Sequence, residues 1–171
     1  MENDDFTINA QMLIRKPAPE VFAAFVEPER TRNFWFTGSS GPLEEGGTVR
    51  WEWEMYGVSA EIRVIEVVRN RLIKVEWEDP IPMIEFRFAE HGPDATYVTI
   101  LNYGHTLTGR ELLETVVDKT AGFTTVLDGL KAYLEHGIRL NLIGDKFPAG
   151  LPPGGPASAD RTDQNLSAST I

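Results

Sequence analysis

Few residues in this chain stand where they could do chemistry. His105 follows the last strand-like segment, with Glu111 and Glu114 close behind it. A catalytic imidazole needs a nucleophile or an orienting carboxylate within hydrogen-bond reach. Nothing in this spacing fixes such a pair, so an exposed loop histidine is the simpler reading. His136 falls in the last turn of a long helical segment, where a cation complements the helix dipole and Gly137 can cap. His91 sits in a turn. The three histidines lack metal-ligand spacing and there is no cysteine, so no metal centre, thiol nucleophile or disulfide is expected. Gly38, Gly41, Gly46 and Gly47 lack the preceding strand, the following helix and the Lys-Ser/Thr pair of a phosphate loop. They read as a mobile loop that forms a lid, and no cofactor is expected.

Two other groups of residues are suited to recognising a molecule. Trp51, Trp53, Trp77, Phe86 and Phe88 occupy the apolar positions of alternating segments. They either line a pocket for a flat, greasy ligand or pack as core beneath a helix. Buried indoles need partners for their N–H groups, so three strand tryptophans imply polar groups or water inside. Asn102, Thr120 and Thr124 interrupt apolar stripes. A buried amide or hydroxyl left unpaired costs about 1–3 kcal/mol. A ligand or pocket water can relieve that cost, and so can a bond to backbone, as helix threonines often make. With Trp35, beside the glycine-rich loop, and Phe123, the expected ligand-binding set is Trp35, Trp51, Trp53, Trp77, Phe86, Asn102, Thr120, Phe123 and Thr124. Arg50, Arg63 and Arg87 alternate with acids on the opposite faces and read as cross-strand ion pairs.

These residues must be held by a strand-rich frame and one long helix. Residues 6–15 read as a first strand, stopped by Lys16-Pro17-Ala18-Pro19. Pro19 and Glu20 suit the first turn of a helix whose apolar face is Val21, Phe22, Phe25 and Val26. Pro28 ends it and a second short helix is expected over 29–34. Five strands follow at 48–55, 58–68, 72–78, 83–89 and 96–103, with a bulge expected where the alternation blurs at Ile65-Glu66-Val67-Val68. Short turn-rich connections make an antiparallel meander the natural assembly. The segment 111–137 then spells ELLETVVDKTAGFTTVLDGLKAYLEHG. Its expected inward stripe is Leu113, Val116/Val117, Thr120, Phe123/Thr124, Leu127, Leu130 and Leu134. At about 1.5 Å per residue the helix spans roughly 40 Å, enough to cross a small sheet.

The 171 residues suffice for one domain, expected over 1–147, with a Pro/Gly/Ser/Ala-rich disordered tail over 148–171. Apolar residues make up 42% and charged residues 25%, a globular balance. The net charge of −10 argues against phosphate backbones and anionic lipid as partners. No signal-peptide pattern and no membrane-length apolar run is present, so a cytoplasmic protein without membrane insertion is expected.

The order of strand, two short helices, strand meander and long helix resembles the helix-grip fold of the START-like (SRPBCC) superfamily. The wording is similar to the branch that includes the activator of heat-shock-protein-90 ATPase. The matching pieces are Ala18-Pro19-Glu20-Val21-Phe22-Ala23-Ala24-Phe25, Pro28-Glu29, Phe34-Trp35, Thr96-Tyr97-Val98-Thr99-Ile100 with Gly104, and Ala121-Gly122-Phe123 leading to Leu127, Leu130-Lys131 and Tyr133-Leu134-Glu135. Many relatives carry His or Thr-His where this chain has Leu101-Asn102, and Trp where it has Phe123. The resemblance implies an α+β fold with an antiparallel meander wrapped on the C-terminal helix. It also implies a cavity between them for a small apolar or amphipathic molecule. That branch is rich in bacterial proteins, and some superfamily members are polyketide cyclases or hydrolases. An enzyme of that kind would use His105 or Asn102 with a carboxylate such as Glu54 or Glu114. Others are co-chaperones that act through their surface. A chaperone partner or a homodimer would engage the outward Tyr97, Leu101 and Tyr103. A binder rather than an enzyme is the leading expectation.

Overall fold

The structure, a computed structural model, describes residues 6–78 and 80–152. Its chain runs β1 (Ile8–Ile14), α1 (Ala18–Val26), α2 (Pro28–Thr31), β2 (Gly38–Ser39), β3 (Thr48–Trp53), β4 (Val58–Val68), β5 (Leu72–Trp77), β6 (Met83–Glu90), β7 (Thr96–Tyr103), α3 (Gly109–His136) and α4 (Leu142–Lys146). Among the described residues the seven strands form one antiparallel sheet in the order β1-β7-β6-β5-β4-β3-β2. The meander is local from β2 to β7. The long-range closure is β1 on β7, with Ile8 opposite Asn102 and Ile14 opposite Thr96. The alternation of the strands sets one face inward: Ile62, Val64, Ile73, Val75, Trp77, Ile84, Phe86, Val98 and Ile100 are all buried. Helix α3 covers that face with Phe123, Val126, Leu127 and Leu130. This is the α+β helix-grip architecture.

Several boundaries differ from expectation. β3 stops at Trp53 because the chain turns through a short 3₁₀ segment, Glu54–Tyr56, so Met55 faces solvent instead of the interior. β2 forms within the stretch read as loop and pairs with β3. α2 ends at Thr31, whose hydroxyl donates to the Ala24 carbonyl at 2.6 Å and ties α2 back to α1. Phe34, Trp35 and Phe36 follow as a buried non-helical segment. The ladder between β4 and β5 shifts register between Val64 and Glu66, where the alternation blurred. Of the tail expected from residue 148, residues 153–171 lie outside the described residues.

The largest correction concerns α3. Its C-terminal half buries Phe123, Leu127 and Leu130, but Leu113 and Val117 are 63% and 61% exposed and Thr124 faces solvent. The inward residues of the N-terminal half are Thr115 and Lys119. These sit at helical spacing from Gly122, Phe123 and Val126, which hold the helix in phase. Lys119 is accommodated by laying its charge against an aromatic face, with Nζ 4.9 Å from the centroid of the Trp77 ring. The helix ends at Gly137, whose φ of 66° lets its N–H bond the Tyr133 carbonyl while Ile138 N–H bonds that of Ala132. Gly129 permits a close approach. A Cβ there would lie 3.2 Å from the Phe34 carbonyl oxygen.

On the outer face Arg63 pairs across the strands with Glu76 as expected, whereas Arg50 and Arg87 pair two residues along their own strands, with Glu52 and Glu85, because same-face neighbours in one strand are also within reach. Tyr97 is exposed, whereas Leu101 and Tyr103 are half-buried, and the Tyr103 hydroxyl donates to Glu85 Oε1 at 2.7 Å. Burial pushes the Glu85 carboxyl up, but the bonds from Tyr103 and Arg87 and the nearby cations outweigh it and hold it below its usual range. A carboxyl lowered in the folded state contributes stability in full above its ordinary value of about 4.3 and loses it as pH falls through the folded value. Urea midpoints at pH 6 and at pH 3.5 should therefore fall further for the native chain than for Glu85→Gln. An equal fall would place the acid sensitivity elsewhere.

Candidate functional site

The interior between the sheet and α3 is an aromatic cluster. All four tryptophans of the chain lie in it. Trp53 stacks on Trp77 with centroids 5.7 Å apart and planes at 12°. Trp35 contacts Trp51 at 4.8 Å and Phe86 at 5.7 Å, and it meets Phe123 of α3 edge-on at 6.5 Å. β3 and β5 set Trp51, Trp53 and Trp77 inward by alternation. Trp35 enters from the segment after α2, where the preceding residue, Phe34, lies against Gly129. The rings pack at ordinary contact distances, so the tryptophans are themselves the filling of the grip.

Polarity interrupts this cluster at defined atoms. The indole nitrogens of Trp35 and Trp53 and the amide oxygen of Asn102 are buried without a hydrogen-bond partner. Buried donors and acceptors are nearly always satisfied in folded proteins, by protein atoms or ordered water. Asn102 otherwise has a structural role, since its amide donates to the carbonyls of Ile81 at 2.7 Å and Met83 at 3.0 Å. Thr115 and Lys119 add a hydroxyl and a cation to the inner wall.

Of the residues expected to bind, the structure brings Trp35, Trp51, Trp53, Trp77, Phe86 and Phe123 into one cluster and buries Asn102 on β7. Thr120 is half-buried, and Thr124 turns outward to donate to the Thr120 carbonyl at 2.7 Å. The residues of an acid-base pair are engaged separately. His105 Nδ1 lies 3.3 Å from the Leu107 carbonyl and its ring meets Phe6 edge-on. Glu114 pairs with Arg110 at 2.7 Å, and Glu54 is exposed. Thr115 and Lys119 were missed because the apolar Leu113 and Val117 drew the stripe onto the wrong face. Counting back in threes and fours from Phe123 and Val126 would have found them.

One end of the interior is closed by the segment after α3. Ile143 of α4 is buried against the cluster, and Leu151 packs on it. The Tyr56 hydroxyl donates to the Ile143 carbonyl, and Phe147 meets the Tyr56 ring edge-on at 6.3 Å. Burial raises the Tyr56 hydroxyl above its usual range, so it stays a donor. A crevice of about 30 Å³ remains there, with Trp35, Gly129 and Ile143 among its walls. That is room for a water molecule and not for an organic ligand.

Sequence comparison now places the fold. The family profile described as Activator of Hsp90 ATPase homolog 1-like protein matches residues 15–135. The chain belongs to this family. Among solved structures, the Staphylococcus saprophyticus protein SSP2350 is 30% identical with a TM-score of 0.70, over 79% of this chain and 96% of that one. The Aha1 dimer of Colwellia psychrerythraea is 17% identical with a TM-score of 0.65, over 77% and 98%. CalU16 of Micromonospora echinospora is 20% identical with a TM-score of 0.60, over 84% and 86%. The latter two likenesses are of fold. The comparison with curated proteins gives no match. In this chain the family profile spans β2 to β7 and nearly all of α3, but neither β1 nor α4. No helix among the described residues is long and apolar enough to cross a membrane.

Proposed function

We propose that this chain binds a small, largely apolar molecule carrying at least one hydrogen-bond acceptor, held among the tryptophans between the sheet and α3. The observation that carries the reading is the pair of buried indole N–H groups, on Trp35 and Trp53, without partners in an otherwise apolar cluster. Each is a donor fixed in direction, and a ligand carbonyl or ether oxygen would satisfy it. Membership of a family built on a ligand-binding fold supports the same reading. The binding residues on this view are Trp35, Trp51, Trp53, Trp77, Phe86 and Phe123, with the buried, unpaired Asn102 Oδ1 as an acceptor. Thr124 plays no part. The rings close the space, so binding requires them to part, which lowers the apparent affinity by the fraction of molecules in the open form.

Intrinsic fluorescence is a direct test, since every tryptophan belongs to the cluster. Titration with the apolar probe 1-anilinonaphthalene-8-sulfonate, and native mass spectrometry of gently purified protein, should show saturable quenching and a retained molecule. A chain that carries nothing and whose emission ignores both the probe and a panel of aromatic ketones would sink the proposal.

A further inference from the structure

A second site lies on the other face of the sheet. The hairpin between β4 and β5 and the neighbouring end of β6 enclose an open groove of about 900 Å³, whose lining includes three cations, Arg69, Arg71 and Arg87, and two acids, Glu85 and Glu90. That is within the usual range for small-molecule sites, roughly 300–1,000 Å³. Its charge is unusual for this chain. Acids outnumber bases by 26 to 16 overall, yet the stretch Val67-Val68-Arg69-Asn70-Arg71-Leu72-Ile73 contains no acid. Arg30, Arg32, Arg50, Arg63, Arg87 and Arg110 each have a carboxylate partner. The side chains of Arg69 and Arg71 have none among the described residues. Asn70, with φ of 62°, turns the chain between them.

The third guanidinium is held in place. Arg87 donates from Nε and Nη2 to the same oxygen of Glu85, at 2.8 and 2.6 Å. Glu85 is only 8% exposed, and its other oxygen accepts from Tyr103, with Lys74 3.9 Å away. Of the two acids in the lining, Glu85 is thus committed to partners and Glu90 is exposed at the end of β6, while Arg87 keeps Nη1 for a further acceptor. Val68 is 37% exposed on this face and, with Leu72 and Ala89, gives the groove an apolar strip beside its cations.

We propose that this groove binds a small organic oxyanion with an apolar body, its charged head between Arg69, Arg71 and Arg87 and its body on Val68 and Leu72. A planar guanidinium recognises carboxylate and phosphate alike, through paired N–H donors. The site is independent of the interior one, being on the opposite face of the sheet.

Phenyl phosphate and phenylacetate share a ring and differ in the head, and inorganic phosphate has no body. Backbone amide NMR of the full chain at low salt should show saturable shifts at residues 68–72 and 87–90 with both aromatic anions, and the tighter of the two identifies the head. Inorganic phosphate should bind about tenfold or more weakly than phenyl phosphate, because it leaves the apolar strip uncovered. Arg69→Gln with Arg71→Gln, both on the exposed hairpin, should weaken binding about tenfold or more while leaving tryptophan emission and the urea midpoint unchanged. Absence of saturable shifts for both aromatic anions overturns the proposal. So does equal affinity in the double variant, or an acidic peptide binding there in preference to either anion.

Discussion

Trp53→Ala is expected to remove about 3–5 kcal/mol of folding stability, the range for deleting a large aromatic from a packed core. Against the 5–15 kcal/mol that holds a typical domain together, this leaves a marginal fold. The side chain is fully buried and stacked on Trp77, with Trp51 at 6.3 Å and Trp35 at 6.5 Å. Those rings are anchored on separate strands and on the segment after α2, so they cannot all collapse into the space. Trp53→Phe is the informative companion. It keeps an aromatic ring and deletes the indole N–H that has no partner. Its cost should stay below about 2 kcal/mol, because losing an unpaired donor offsets part of the lost packing. Urea unfolding of the three proteins decides the matter. A loss near 1 kcal/mol for Trp53→Ala would mean the cluster is loose enough to refill itself. A loss for Trp53→Phe as large as that for Trp53→Ala would mean the indole N–H is bonded in solution.

Asn102→Leu is expected to cost about 2–4 kcal/mol, since it removes the amide donor from the buried Ile81 carbonyl and the partly buried Met83 carbonyl. In a domain of this size that lowers the melting temperature by roughly 5–15 °C. The amide ties the end of β7 to the connection between β5 and β6, so the damage should be local as well as global. Hydrogen exchange at residues 81–84 should accelerate before the rest of the sheet. If exchange there is unchanged and the melting temperature holds, Asn102 is not the staple of that connection and its buried, unpaired oxygen becomes its main role. The same variant also tests the interior site, because leucine removes the buried, unpaired acceptor Asn102 Oδ1 while preserving bulk.

The fold was legible because its signals were redundant. Alternation in five segments, short turns between them and one uninterrupted helical stretch all required a meander on a helix. Glycine and proline marked the breaks. The phase of α3 was not legible from apolar residues alone. Leu113 and Val117 are as apolar as Leu127 and Leu130, and only the packing of Gly129 against Phe34 and of Phe123 against Trp35 fixes which side turns inward. A lysine on an inner wall also violates the usual rule for charge. The tryptophans were readable as inward by strand alternation, but not that they would stack on one another and fill the space. Pairwise ring geometry depends on strand register and on the long-range β1–β7 closure, which short sequence windows do not contain. The outer groove is hidden in the sequence for a different reason: Arg69-Asn70-Arg71 reads as an ordinary turn until Arg87 is brought alongside it.

The sealing of the cluster by α4 has a consequence for how members of the family can diverge. The family profile ends at residue 135 in this chain, whereas the plug at Ile143 and its anchor on Tyr56 depend on residues beyond that point. The scaffold and its stopper are therefore separate pieces of sequence. The stopper is fastened by one hydroxyl, one ring contact and two aliphatic side chains. Changes confined to the 15 residues from Gly137 to Leu151 can retune access to the interior while the sheet, the helix and the aromatic filling stay as they are.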